Sequence, residues 1–107
     1  MPNAVYFNSY KLKKGASVPD FLLAVEKLTS NIAANHKGYI SSTLLVDGET
    51  WADYTVFETM DDLNAFIEAA RVARASGTND FAKHFYSFLN LNSCRTHRFT
   101  VEGISVK

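Results

Sequence analysis

The sequence predicts an α+β fold of βαββαβ order, a four-stranded antiparallel sheet with helices on one face, and three observations lead to it. Two amphipathic helical stripes each follow a Ser/Thr-x-x-Asp start signal. An Asp-Gly dipeptide separates two strand-like runs in the middle of the chain, and further strand-like segments open and close it. At 107 residues and 47% hydrophobic content, residues 1–107 are read as one domain.

The first strand, β1, is expected over Ala4 to Leu12, a run of Val, Tyr and Phe that stops at Lys13-Lys14-Gly15. Ser17-Val18-Pro19-Asp20 then opens helix α1: the serine oxygen can accept from a free backbone N–H, and the acid suits the positive helix end. Phe21, Val25, Leu28 and Ile32 form its apolar stripe, and His36-Lys37-Gly38 is read as its stop. His36 there closes α1 near the negative end of the helix dipole and is read as a favourable terminal group.

Tyr39 to Val46 and Trp51 to Phe57 are the β-branched and aromatic runs of a hairpin, β2 and β3, with Asp47-Gly48 as the turn signal. Thr59-Met60-Asp61-Asp62 starts α2, whose stripe is Leu63, Phe66, Ile67 and Ala70. Ser76-Gly77-Thr78 breaks that helix, and Phe81, Phe85, Phe88 and Leu89 resume a stripe as α3. A last strand, β4, is expected from about Ser93 to Val101. Beyond it, Ile104 and Val106 alternate in the tail from Glu102 to Lys107, which is read as a short strand offered to a partner subunit.

Helices of a βαββαβ unit cover one face of the sheet, yet β1 carries Val5 and Phe7 on one parity and Tyr6 and Tyr10 on the other. A second apolar face needs cover, and another copy of the chain supplies it. A homodimer with sheets face to face is therefore expected.

Eleven basic and eleven acidic residues cancel, so no net field draws in nucleic acid or anionic membrane, and neither partner is expected. No apolar run reaches the roughly 20 residues of a membrane span, and Met1-Pro2-Asn3-Ala4 lacks a basic patch before an apolar segment, which leads to a cytoplasmic reading. No phosphate-binding loop, nucleophile elbow or metal-spaced Cys/His cluster is present, so no metal and no cofactor are expected. The lone Cys94 in a strand-like segment reads as a small buried hydrophobe.

The polar groups that remain for chemistry are Tyr6, Asn8, Tyr54, His84 and His97. Asn8 shares a strand face with Tyr6 and Tyr10; its amide could hold a substrate oxygen, or it could be satisfied by neighbouring backbone. His84 sits beside the apolar stripe of α3 and could act as a base at a pocket rim, or simply edge the core. His97 shares a face with Phe99 and Val101, which could be the pocket or the dimer seam. Asn8, His84 and His97 are the candidate catalytic residues, and Tyr6, Tyr54, Phe66 and Phe85 the candidate pocket lining. The Phe81, Phe85 and Phe88 series fits a core at least as well as a ligand box. Arg71, Arg74, Arg95 and Arg98 are scattered and read as solvated.

The segments Gly38-Tyr39-Ile40-Ser41, Leu44-Leu45-Val46-Asp47-Gly48 and Trp51-Ala52-Asp53-Tyr54-Thr55-Val56-Phe57-Glu58-Thr59-Met60-Asp61-Asp62-Leu63 resemble the antibiotic biosynthesis monooxygenase domain. That resemblance covers nearly the whole chain and implies a dimeric α+β barrel. It further implies a cofactor-independent monooxygenase acting on a small aromatic, quinol-type compound, with Asn8 orienting the substrate and His84 or His97 as base. The alternative is a non-catalytic dimer that binds a small apolar or aromatic molecule or serves as a stress-related module. Asn8 also falls where the haem-degrading branch of the family has a pocket asparagine. By spacing, however, that branch's tryptophan falls at Phe66 and its histidine near Ser76, which argues against haem degradation. Where family members often end β3 with tryptophan, this chain has Phe57.

Overall fold

The computed structural model describes residues 2–106. Its elements run β1 (Ala4–Leu12), α1 (Val18–Asn31), a single 3₁₀ turn (Ala33–Asn35), β2 (Tyr39–Asp47), β3 (Thr50–Phe57), α2 (Met60–Ser76), α3 (Asp80–Tyr86) and β4 (Leu89–Thr100). All pairings are antiparallel and the strand order is β2-β3-β1-β4. This is the ferredoxin-like βαββαβ arrangement.

The start signals act as read. Ser17 Oγ accepts from the Asp20 N–H at 3.3 Å and Thr59 Oγ1 from the Asp62 N–H at 3.1 Å. Gly77, at φ 72°, ends α2 in the left-handed conformation and so divides the second crossover into two helices. The Asn79 side chain then caps α3 by accepting from the Ala82 N–H at 2.9 Å.

Three boundaries differ from expectation. Helix α1 stops at Asn31 rather than near His36: Ile32, at φ −119°, is its C-cap, with its N–H still bonded to the Leu28 carbonyl, and the chain then tightens into the 3₁₀ turn. His36 therefore follows that turn and is not at the end of α1. Strand β4 begins at Leu89, a residue assigned above to the α3 stripe; its 1% exposure within the Tyr10–Phe21–Phe85 cluster serves both readings, and pairing with Leu12 makes it a strand. Residues 101–106 form no strand, although the Val101 N–H still donates to the Asn3 carbonyl at 2.9 Å. The hairpin loop is Gly48-Glu49, with Asp47 paired to Thr50 as the last rung of the β2–β3 ladder.

Register decides what the helices cover. On β1 and β3 the paired rungs Ala4–Phe57, Tyr6–Thr55, Asn8–Asp53 and Tyr10–Trp51 face the helices. The rungs Val5–Val56 and Phe7–Tyr54 face away. The end rungs are apolar and carry the two halves of the core: Ala4 and Phe57 pack with Leu63 of α2, and Tyr10 packs with Phe21, Phe85 and Leu89. Cys94 lies against the second cluster, where burial raises its thiol pKa despite the opposing Arg95 charge. The middle rungs carry polar or small side chains, and there the helices stand off the sheet.

The outward face is also apolar. Phe7 and Phe99 meet edge to face at 6.3 Å, His97 stacks on Phe99 at 5.3 Å, and Leu45 and Phe99 remain 45% and 49% exposed.

Candidate active site

A cavity of about 520 Å³ occupies the gap between sheet and helices, a size that falls within the roughly 300–1,000 Å³ of small-molecule sites. Its floor is Tyr6 and Asn8 of β1 with Asp53 and Thr55 of β3; Val25 and Leu28 of α1, Phe66 and Ile67 of α2, and Phe85 and Tyr86 of α3 form the walls. Exposed Glu26, Arg71 and Arg74 also line it, so the cavity reaches the surface between α1 and α2. Helix α1 packs chiefly on α3, which leaves that side open.

Asp53 is the centre of the floor. Its Oδ1 accepts from the Asn8 amide Nδ2 at 3.0 Å and its Oδ2 from the Tyr10 hydroxyl at 2.8 Å. An ionised carboxylate only accepts, so the Asn8 NH₂ must face Asp53 and its carbonyl oxygen is left for the cavity. Burial raises the Asp53 pKa above the usual carboxylate range, and the hydrogen bonds from Asn8 and Tyr10 pull it part of the way back. Tyr10 is only 2% exposed; its pKa is raised by burial and then by the Asp53 charge and the hydrogen bond it donates, so it remains a phenol.

Two further phenols reach the cavity. Tyr6 and Tyr86 are both held protonated first by burial, while Arg98 and Arg74 act in the opposite sense on Tyr6 and Arg74 on Tyr86. By contrast Ser42 and Thr55 are satisfied by each other at 3.1 Å. The cavity thus presents a carboxylate with raised basicity, one amide oxygen and two hydroxyls among largely apolar walls. Such a set can bind a planar aromatic, take a proton from its hydroxyl and hold the resulting oxyanion.

Among the residues singled out from sequence, Tyr6, Asn8, Phe66 and Phe85 line this cavity together. Tyr54 does not: its register opposite Phe7 turns it to the outward face. His97 also pairs with Phe7 and lies outward on Phe99, away from the cavity. His84 is exposed on α3, edge-on to Phe88 at 5.1 Å, and is not among the lining residues. Arg74, read as solvated, borders the cavity with its guanidinium 5.4 Å from the centre of the Tyr86 ring. Asp53, Tyr86 and Arg74 were not identified from sequence. For Asp53 a signal existed: aspartate is depleted in strands, and this one stands mid-run between Trp51 and Phe57. Among the described residues no group of three or more His, Cys, Asp or Glu is placed to hold a metal ion, and no helix is long and apolar enough to cross a membrane.

No family model matches the sequence, and no curated protein matches it. Solved structures do. SnoaB from Streptomyces nogalater, described as a cofactor-independent oxygenase, superposes with a TM-score of 0.73 at 13% identity over 97% of each chain. A candidate antibiotic biosynthesis monooxygenase from Bordetella bronchiseptica gives 0.71 at 14% identity, covering 92% of this chain and 96% of that one. A dimeric protein of unknown function with a ferredoxin-like fold from Bacteroides fragilis gives 0.58 at 18% identity, covering 92% and 96%. The chain therefore shares the ferredoxin-like fold with these proteins, among them a cofactor-independent oxygenase and a candidate antibiotic biosynthesis monooxygenase.

Proposed function

We propose that the protein is a cofactor-independent monooxygenase acting on a small aromatic hydroxy compound of the quinol or anthrone type, with Asp53 as its base. The observation that carries this reading is the Asp53 carboxylate, raised in basicity by burial and fixed by Asn8 and Tyr10 on the floor of an aromatic-lined cavity. The fold shared with an oxygenase described as cofactor-independent supports it.

The chemistry requires little beyond this set. Asp53 takes the proton of a ring hydroxyl, and the Tyr6 and Tyr86 hydroxyls stabilise the phenolate. The electron-rich anion gives one electron to dioxygen, and recombination forms a C–O bond to the ring carbon as a peroxide. Asp53 returns its proton to the outer peroxide oxygen, and breaking the O–O bond as the ring carbon gives up its hydrogen then releases water and leaves a carbonyl: one oxygen atom is retained, the other leaves as water, and the substrate supplies all four electrons. Apolar walls from Val25, Leu28, Phe66 and Ile67 keep bulk water from the peroxide.

Oxygen consumption with a naphthohydroquinone or an anthrone, compared between wild type and Asp53→Asn, tests the reading. Turnover lost in the variant, with substrate binding retained, is the expected result. Binding without any turnover in the wild type would instead favour a non-catalytic module that holds a small aromatic.

The functional unit is read as a homodimer. The outward face carries Val5, Phe7, Tyr54, Val56 and Phe99 on adjacent strands, and one structural neighbour is described as dimeric. A sedimentation mass of one chain at micromolar concentration would overturn that assignment.

A further inference from the structure

The cavity has two electrically different ends. Asp53 makes the floor acidic, whereas the rim on α2 carries arginines. Arg71 is engaged: its Nη2 and Nε bond Glu68 at 2.6 and 3.0 Å. Arg98, near Tyr6, donates to Asn64 Oδ1 at 2.7 Å. Arg74 differs from both, since among the described residues it has no ion pair and no side-chain hydrogen bond. Its guanidinium rests on the ring of Tyr86, itself a wall of the cavity, so the charge is held at the cavity edge with its donors uncommitted.

We infer that Arg74 is a specificity residue, and that the aromatic substrate carries an anionic substituent, a carboxylate, at the end of the ring system remote from the hydroxyl that Asp53 deprotonates. The inference rests on the proposed reading of the cavity as an aromatic-binding site. A planar guanidinium with free donors matches a carboxylate in two parallel hydrogen bonds, which a point charge does not. Orientation follows from charge: a carboxylate is repelled from the Asp53 floor and drawn to the rim, and the same two charges turn the ring hydroxyl inward. Arg74 also acts electrostatically on Tyr6 and Tyr86, the two phenols between floor and rim, as does Asp53. Glu26 of α1 lines the same rim and opposes the effect, so its removal should strengthen anion binding.

The test is calorimetric binding of a matched pair: a hydroxynaphthoate with hydroxyl and carboxylate at opposite ends of the ring system, and the corresponding hydroxynaphthamide. Wild type is expected to prefer the acid by about tenfold, equivalent to about 1.4 kcal/mol. Arg74→Gln should abolish the preference, Arg74→Lys should keep part of it, and Glu26→Gln should enlarge it. Equal binding of acid and amide by wild type, or a preference that survives Arg74→Gln, overturns the inference. Ala70→Phe, which fills the cavity from α2, separates the two levels of argument. If it blocks both ligands and charge has no effect, only the role of Arg74 fails; if neither ligand binds, or binding ignores Ala70→Phe, the cavity reading fails with it.

Discussion

Asn8 and Asp53 face each other as one rung of the β1–β3 ladder, and the Asn8 amide donates to the Asp53 carboxylate at 3.0 Å. A cross-strand pair in the middle of a sheet is normally a packing unit. Here the helices leave it uncovered, and the rung becomes the floor of a cavity. Several outcomes follow from that geometry.

Asp53→Asn should lower turnover by roughly a hundredfold or more, as expected for loss of a general base, and should also stabilise the fold at neutral pH. The sign comes from linkage. The folded pKa of Asp53 is raised, so the stability tied to its proton is present below the ordinary carboxylate range and is lost as pH rises through the raised value. The asparagine has no charge to lose. Thermal unfolding of the two proteins should therefore differ least at acid pH and diverge as pH rises, with the variant unfolding at the higher temperature near pH 7.

Asn8→Ala should move the acidic limb of the pH–rate profile to higher pH. The Asn8 hydrogen bond favours ionised Asp53, and removing it leaves burial less opposed. Tyr10→Phe should move the limb in the same direction, since its hydroxyl also donates to Asp53. A limb that moved to lower pH in either variant would remove Asp53 as the titrating base.

His84→Ala and His97→Ala should each retain turnover within a few-fold of wild type. His84 is exposed beside Phe88, and His97 stacks on Phe99 across the sheet from the cavity. A large loss in either, with the cavity ligand still bound, would return the base to a histidine.

Gly38→Ala should destabilise the protein by about 1–3 kcal/mol, read from denaturant unfolding. Gly38 enters β2 at φ 82°, a conformation that resists a side chain, and an added Cβ would collide with the Asp62 carboxylate. Gly15→Ala, at φ 81° but with open space around it, should cost less and isolates the steric part.

The order of elements was legible in the sequence because it is written in local signals. Ser17 and Thr59 cap the helices they precede, Gly77 breaks α2 from α3, and the Asp47-Gly48 dipeptide marks the hairpin, each acting within a few residues. Part of the site was legible too. The parity of β1 groups Tyr6, Asn8 and Tyr10 on one face, and Phe66 and Phe85 follow from helical periodicity.

The rest depended on register and on the angle at which helices meet the sheet. Trp51 to Phe57 is apolar on both parities, so nothing local determines whether Asp53 or Tyr54 turns toward the helices; pairing with Asn8 and Phe7 decides it. The same pairing sends His97 outward. Arg74 acquires its place only because α1 packs on α3 and leaves α2 to border an opening. The sequence by itself determined the strands, the helices and their order, since capping, turns and periodicity are short-range. Only the tertiary structure decided that a carboxylate on β3 and an arginine on α2 border one cavity, because that proximity is a product of long-range packing.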